Sequence, residues 1–121
     1  MFSEALSNIV KRTEGALGAL IMGTDGIAVE KYLLPQGSDA NIDVAAAEVT
    51  SLVRSAQRAG HDTGLGGLHE LVITFDEMSL IVRLFTRDYF VVLVVGIDGN
   101  VGRGRFELRK IELELSREFA I

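Results

Sequence analysis

The sequence predicts an α+β protein, in which helices cover the faces of one five-stranded antiparallel sheet. Three observations predict this class: two apolar runs joined by an Asp-Gly turn, an Ala-rich amphipathic stretch in the middle, and three closely spaced apolar runs after it. The predicted order is helix, two strands, helix, three strands, helix. At 121 residues, with 48% hydrophobic and 24% charged residues, the composition fits one globular domain over residues 1–121.

Composition also limits the partners and the compartment. A net charge of −5 argues against a nucleic-acid partner, which normally requires a positive surface. The absence of cysteine excludes disulfides, thiolate metal sites and cysteine nucleophiles, and is compatible with a reducing cytoplasm. The start carries an acid at Glu4 and no long apolar core, so we do not expect it to act as a signal peptide. No apolar run approaches the roughly 20 residues that span a bilayer. We therefore expect a soluble cytoplasmic protein that does not insert into membranes.

The first elements are a short helix and a hairpin. Apolar residues recur at helical spacing through residues 2–13, which predicts an amphipathic helix. Apolar runs at 18–22 and 27–34 then flank the sequence Gly-Thr-Asp-Gly, and glycine supplies the positive φ that a tight hairpin turn needs. Small residues in and before the first strand would let a neighbouring backbone approach closely. The second strand ends at a polar loop that holds the only proline, Pro35.

The clearest helix is predicted over residues 41–59. Asp39 or Asn41 is expected to cap its start, and Gly60 its end. The apolar stripe is rich in alanine, which lets helix axes approach closely. The stripe is compatible with packing on the chain's own sheet alone, or with packing on that sheet and on a second helix as well. Its members are Ile42, Ala45, Ala46, Val49, Leu52, Val53, Ala56 and Ala59.

Three further strands are predicted at 68–75, 79–85 and 89–97, as an antiparallel meander. The last run is apolar on both faces, which predicts a central strand covered on both sides. The first of the three alternates between a mixed face and a mostly apolar face, which is typical of an edge or of a surface that meets another chain. The tail at 101–121 contains both a strand-like alternation and a helical stripe. Its many good helix formers favour a helix.

No motif predicts catalysis or a cofactor. The glycine-rich stretches at 64–67 and 99–105 lack the Gly-Lys-Ser/Thr ending of a phosphate loop, so they are interpreted as turns. His61 and His69 have no third ligand at a spacing that suits a metal. No serine lies in a nucleophile-elbow pattern. We expect no catalytic residue, no cofactor and no metal, and the protein is not expected to be an enzyme.

The order of elements and several short stretches resemble the Roadblock family, named for a dynein light chain, and within it the bacterial MglB-like members. The stretches are GALGA at 15–19, TDGI at 24–27, the Ala-rich helix around 43–56, and GLGGL at 64–68. The resemblance covers essentially the whole chain. It implies a dimer in which the third strands of two protomers join edge to edge and the central helices pair on one face of the combined sheet.

Carried onto this sequence, the resemblance assigns two sets of interface residues. The strand edge is Leu68, His69, Leu71, Ile73 and Phe75. The helix interface is Ala45, Val49, Leu52 and Ala56. Either a homodimer or a heterodimer is compatible with this pattern, and the homodimer is the one expected.

The resemblance also implies a function. Family members are adaptors and scaffolds, and several bind small Ras-like GTPases. We therefore expect a homodimeric adaptor or regulator that binds such a GTPase through its paired central helices, without supplying a catalytic residue to it. The candidate contact residues are Glu48, Ser51, Arg54, Ser55 and Arg58. The alternatives are a small-ligand sensor, which would need an apolar pocket with convergent polar groups, and a purely structural dimer within a larger motor or polarity complex.

Overall fold

The structure is a computed structural model that describes residues 2–35 and 41–119. Within these residues the elements follow the predicted order. They are α1 (Phe2–Arg12), β1 (Ala16–Gly23), β2 (Ala28–Leu33), α2 (Ile42–Asp62), β3 (Glu70–Thr74), β4 (Met78–Leu84), β5 (Tyr89–Gly96) and α3 (Val101–Phe119).

The five strands form one antiparallel sheet in the order β2-β1-β5-β4-β3. β5 lies at the centre, which confirms the prediction from its uninterrupted apolar sequence. Val91, Leu93 and Val95 enter the core on one face, while Phe90, Val92 and Val94 enter the core on the other. Because successive strand residues point to opposite faces, both layers of core draw on this strand.

The helices cover the two faces of the sheet. α1 and α3 lie on one face, where Leu6, Ile9 and Leu108 are fully buried. α2 lies on the other face, where Val49 and Val53 pack against the sheet. β2 and β3 are the two edge strands. The prediction that the third strand lies at an edge is therefore confirmed.

The front hairpin forms as its turn chemistry predicts. Gly26 has a φ of 90°, and the Ile27 N–H donates a 3.0 Å hydrogen bond to Asp25 Oδ1. A Cβ on Gly18 would stand 2.5 Å from the Leu33 side chain and 3.0 Å from the Tyr32 carbonyl oxygen, so glycine here lets the first two strands approach closely. The small residues of this hairpin thus permit the close backbone approach expected from the sequence.

α2 extends beyond its predicted end. Gly60 lies inside the helix, and the C-terminal cap is Thr63, whose N–H donates to the Ala59 carbonyl at 3.2 Å. The prediction that Gly60 caps the helix was wrong for a tertiary reason: a Cβ on Gly60 would stand 2.3 Å from the Gly66 carbonyl oxygen, so glycine admits the following loop. At the other end, the Asn41 side chain makes no capping hydrogen bond among the described residues, and Asp39 lies outside them.

β3 is shorter than predicted, and the tail is a helix. Leu68 and His69 precede β3, although the Leu84 N–H donates to the His69 carbonyl at 3.0 Å and extends the pairing with β4 by one step. α3 confirms the helical prediction for the tail as far as Phe119. Among the helices of the part of the chain that the structure describes, none combines the length and the apolar character that crossing a bilayer requires.

Candidate dimer and partner-binding surfaces

The outer edge of β3 is open. β3 pairs with β4 on its inner side, from Glu70 opposite Arg83 to Thr74 opposite Ser79. No strand among residues 2–35 and 41–119 pairs with its outer side. The backbone donors and acceptors along this side are therefore available to a strand of another chain.

The two edges of the sheet differ in how well they resist pairing. β2 carries Glu30 and Lys31, and its register with β1 is broken by an irregularity at Ile21 and Met22. Charged residues and bulges are the usual protection of an edge strand. The one charged residue of β3 is Glu70, at its first position, where it is bonded to Arg105. The register of β3 with β4 has no irregularity, and its Leu71 and Ile73 are only half-buried. β3 is thus the edge better suited to pairing with a second strand.

The contacts of α2 fix which of its flanks lies toward β3. The Lys31 ammonium on β2 is 3.1 Å from Asp43 Oδ2, and the Arg54 Nη1 donates to the Thr24 carbonyl at 2.5 Å. Asp43 and Arg54 therefore lie on the flank that faces β2 and the β1–β2 turn. The opposite flank of the helix carries Ala45, Leu52 and Ala56.

This second flank is apolar and partly uncovered. The Leu52 residue is 50% exposed, and Ala45 and Ala56 are half-buried. Leu71 and Ile73, on the same face of the sheet, are also half-buried. Together these five residues leave an apolar patch between α2 and the open edge. Three of the four residues that the resemblance assigns to the helix interface lie on this apolar patch.

Val49, the fourth of these residues, lies elsewhere. It is only 3% exposed and packs in the core beneath α2 with Val53 and Ala46. In the single chain its side chain holds the helix on its own sheet, and it does not reach the flank that carries Leu52.

Four of the five candidate partner-binding residues lie on the outward face of α2. Glu48, Ser51, Ser55 and Arg58 are exposed, and Arg58 Nη2 donates to Ser55 Oγ at 3.2 Å. The guanidinium of Arg54 is already bonded to the β1–β2 turn. Arg54 therefore fastens α2 to the hairpin, and the other four residues form the outward surface.

A charged network connects the edge strand to α3. Glu70 accepts hydrogen bonds from Nε and Nη2 of Arg105, the second at 3.1 Å. The guanidinium of Arg83 lies 3.7 Å from Glu70 and donates a 2.7 Å hydrogen bond to Glu112 of α3. The hydrogen bonds from Arg105 are the main cause that holds the pKa of Glu70 below its ordinary value. Burial opposes them and is the next largest effect, and the charges of Arg105, Arg83 and Arg109 lower the pKa further.

A cleft of about 730 Å³ lies beside the start of β3. It is bounded by the last turns of α2, the glycine-rich loop at 64–67, the end of β4, the β4–β5 turn and Glu112 of α3. Its apolar lining comes from Leu68, Leu84 and Phe85. Four side chains that are cationic or become so on protonation also line it: Arg58, His61, His69 and Arg87.

Sequence reasoning missed this grouping. The four side chains come from α2, from the segment before β3 and from the β4–β5 turn, and each alone has the appearance of an ordinary surface residue. The local signal that existed was the pair of histidines beside a glycine-rich loop. Among the described residues, no three His, Asp or Glu side chains converge as ligands of a metal ion.

The fold places the chain among α+β proteins whose antiparallel sheet is covered by helices on both faces and keeps an open edge. The comparisons with known proteins agree with this class. The model of the Roadblock/LC7 domain family matches residues 3–95, and the chain belongs to that family. Comparison with curated protein sequences finds no match.

Solved structures support the assignment. MglC from Myxococcus xanthus is 30% identical, with 98% of each chain covered and a TM-score of 0.70. The gliding protein MglB from Thermus thermophilus is 21% identical, with 94% of this chain and 84% of that chain covered and a TM-score of 0.82. A Roadblock/LC7 domain from Streptomyces avermitilis is 19% identical, with 96% and 95% covered and a TM-score of 0.81. The last two likenesses show the shared fold.

Proposed function

We propose that the chain is a homodimeric adaptor that binds a small Ras-like GTPase and has no catalytic activity of its own. One observation carries the proposal: the open edge of β3 and the apolar flank of α2 lie on the same side of the molecule. A second copy related by a two-fold axis would cover both at once. A two-fold interface uses the same patch on both protomers, so a self-complementary strand edge and helix flank are what it requires.

In the proposed dimer, β3 pairs with β3 of the second copy and the two sheets become one. The two α2 helices then meet over Leu71 and Ile73, with Leu52 near the centre of their contact. Alanines at 45 and 56 let the helix axes approach closely. This arrangement removes from water the apolar patch that the single chain leaves exposed.

The docking surface for the GTPase is the outer face of the paired helices. Each copy contributes Glu48, Ser51, Ser55 and Arg58, so the surface combines both charge signs with small hydroxyl side chains. It is preformed, because each helix is fixed to its own sheet by the buried Val53 and by the bond from Arg54 to the β1–β2 turn. Membership of the Roadblock/LC7 family supports an adaptor role for such a surface.

The test is capture of GTPases by the purified chain from its source lysate, with GDP in one sample and a non-hydrolysable GTP analogue in the other. We expect a small GTPase to be enriched in the sample with the GTP analogue, and its binding to be confirmed by titration of the purified pair. The matched control is the Leu71→Asp variant, which buries a charge at the strand joint and is expected to lose dimer and capture together. A dimer that captures no GTPase in either sample would contradict the proposal and favour a purely structural dimer.

A further inference from the structure

The cleft beside β3 opens where the proposed dimer would continue along the strand. Its lining residues Leu68 and His69 directly precede β3, on the edge that the second copy is proposed to join. A strand added to that edge does not stop at residue 70, because the added chain must pass the mouth of the cleft.

The two-fold symmetry of the pairing determines which residues of the second copy would lie at the mouth of the cleft. In an antiparallel two-fold pair, each residue before the axis faces the residue equally far behind it on the other strand. An axis at Val72, the middle of β3, places the partner's Phe75 opposite His69. The partner's Asp76 and the partner's Glu77 then lie opposite Leu68 and Gly67. An axis one residue to either side keeps this turn opposite residues 65–71.

The turn and the cleft are chemically complementary. In the part of the chain that the structure describes, the carboxylates of Asp76 and Glu77 accept no hydrogen bond and form no ion pair, and Phe75 is 54% exposed. On the cleft side, the Arg87 guanidinium has no partner within the described residues, and that of Arg58 reaches only Ser55.

The side chains of His61 and His69 are likewise unpaired within residues 2–35 and 41–119. One charged lining residue of the cleft, Glu112, is already bonded to Arg83. The cleft therefore offers unpaired cations around an apolar lining, in a chain whose net charge is −5.

We infer that the cleft receives the acidic β3–β4 turn of a second copy, which we name the turn latch. The partner's Phe75 packs on the apolar lining, and the partner's Asp76 and the partner's Glu77 pair with Arg58 and Arg87. The two-fold axis makes the contact twice. The inference rests on the proposed β3-paired dimer, and it adds what fixes the register of that dimer and what selects a second copy of this chain over a partner with an uncharged turn.

Charge reversal on each side tests the latch. The cleft variant is Arg58→Glu with Arg87→Glu, and the turn variant is Asp76→Lys with Glu77→Lys. Each homodimer then places like charges together at both latches, so we expect the dissociation constant of each to rise about tenfold or more. The control variant, Glu4→Lys with Glu14→Lys, makes a charge change of the same size as the turn variant at exposed sites on and just after α1, which contacts β1, β2 and α3, and is expected to dimerise like the wild type.

Mixing the two variants separates the latch from a general loss of folding. In a heterodimer of the cleft variant with the turn variant, both latches again join opposite charges. Native mass spectrometry of the mixture should show the heterodimer in excess of both homodimers, with an affinity within about threefold of the wild type. Homodimers of both variants as tight as the wild type, or a mixture without preference for the heterodimer, would overturn the latch while leaving the dimer intact. A wild-type chain that stays monomeric would instead overturn the proposed dimer and the latch with it.

Discussion

Glu70 on the edge strand β3 is held by Arg105 of α3, through hydrogen bonds from two guanidinium nitrogens. Glu70 is the first residue of β3, so the start of the edge strand is held to α3, on the face of the sheet opposite α2. Arg83 connects the same carboxylate to Glu112, so the strand, its neighbour β4 and α3 are joined by one charged network. The edge is thus fixed in place before any second chain pairs with it, which lowers the entropy lost on pairing.

The network predicts a pH-dependent contribution to stability. Because the pKa of Glu70 is lowered in the folded chain, mainly by the hydrogen bonds from Arg105, its contribution is fully present above the ordinary glutamate range and is lost as the pH falls through the lowered pKa. Glu70→Gln should lower the free energy of unfolding at about pH 7, and the difference between variant and wild type should be smaller at about pH 3, below the ordinary glutamate range. Urea unfolding at both pH values measures this. Glu114→Gln, which removes an exposed acid of α3 with no ion pair among the described residues, is the control.

We expect the fold to require glycine at the position of Gly15. Its φ is 81°, and a Cβ there would stand 2.4 Å from the backbone of Gly99 in the β5–α3 turn. Gly15→Ala should therefore lower the free energy of unfolding by about 2–4 kcal/mol, because both the backbone and the packing are strained. Thermal unfolding tests this against Gly67→Ala, whose Cβ would have nothing within 4 Å. Equal stability of the two variants would contradict the close approach of the two backbones.

Leu52 predicts the contribution of α2 to the dimer. Leu52→Ala removes half-exposed apolar surface from the flank that faces the proposed partner, once in each copy. The dimer dissociation constant should rise about tenfold, while the stability of the single chain changes little. Sedimentation velocity over a concentration series measures the constant. Leu113→Ala, at an exposed leucine of α3 on the other face of the sheet, should leave it unchanged.

Ser51 predicts where the GTPase docks. It lies on the exposed outer face of α2, away from the flank that carries Leu52. Ser51→Lys places a long charged side chain within the proposed docking surface and should weaken GTPase binding about tenfold with the dimer mass unchanged. Titration of the purified pair provides the affinity. Ser3→Lys, on the exposed face of α1, is the matched control, and an equal effect of both changes would place the docking surface elsewhere.

The elements that the sequence predicted well are those whose signals are local. The Asp25-Gly26 turn, the helical spacing in α1 and the apolar run of β5 each depend on neighbours within a few residues. Gly60 misled because its role is tertiary: it admits the carbonyl of Gly66, and no local rule distinguishes that from a helix cap.

The site was only partly predictable for a related reason. The Ala-rich stripe of α2 is broad enough that its pattern does not separate the buried Val49 from the half-exposed Leu52. The pair formed by Glu70 and Arg105 joins residues 35 positions apart. The cleft likewise depends on how the end of α2 meets the β4–β5 turn, which periodicity does not specify.

The pairing of β3 is tested most directly by the mass of the chain in solution, measured by sedimentation equilibrium over a wide concentration range. We expect the wild type to approach twice 13.1 kDa as concentration rises. We expect Ile73→Asp, which buries a charge at the strand joint, to remain at 13.1 kDa while keeping its circular dichroism spectrum. A wild-type chain that stays at 13.1 kDa at every concentration would contradict the pairing of β3 on which the proposed adaptor depends.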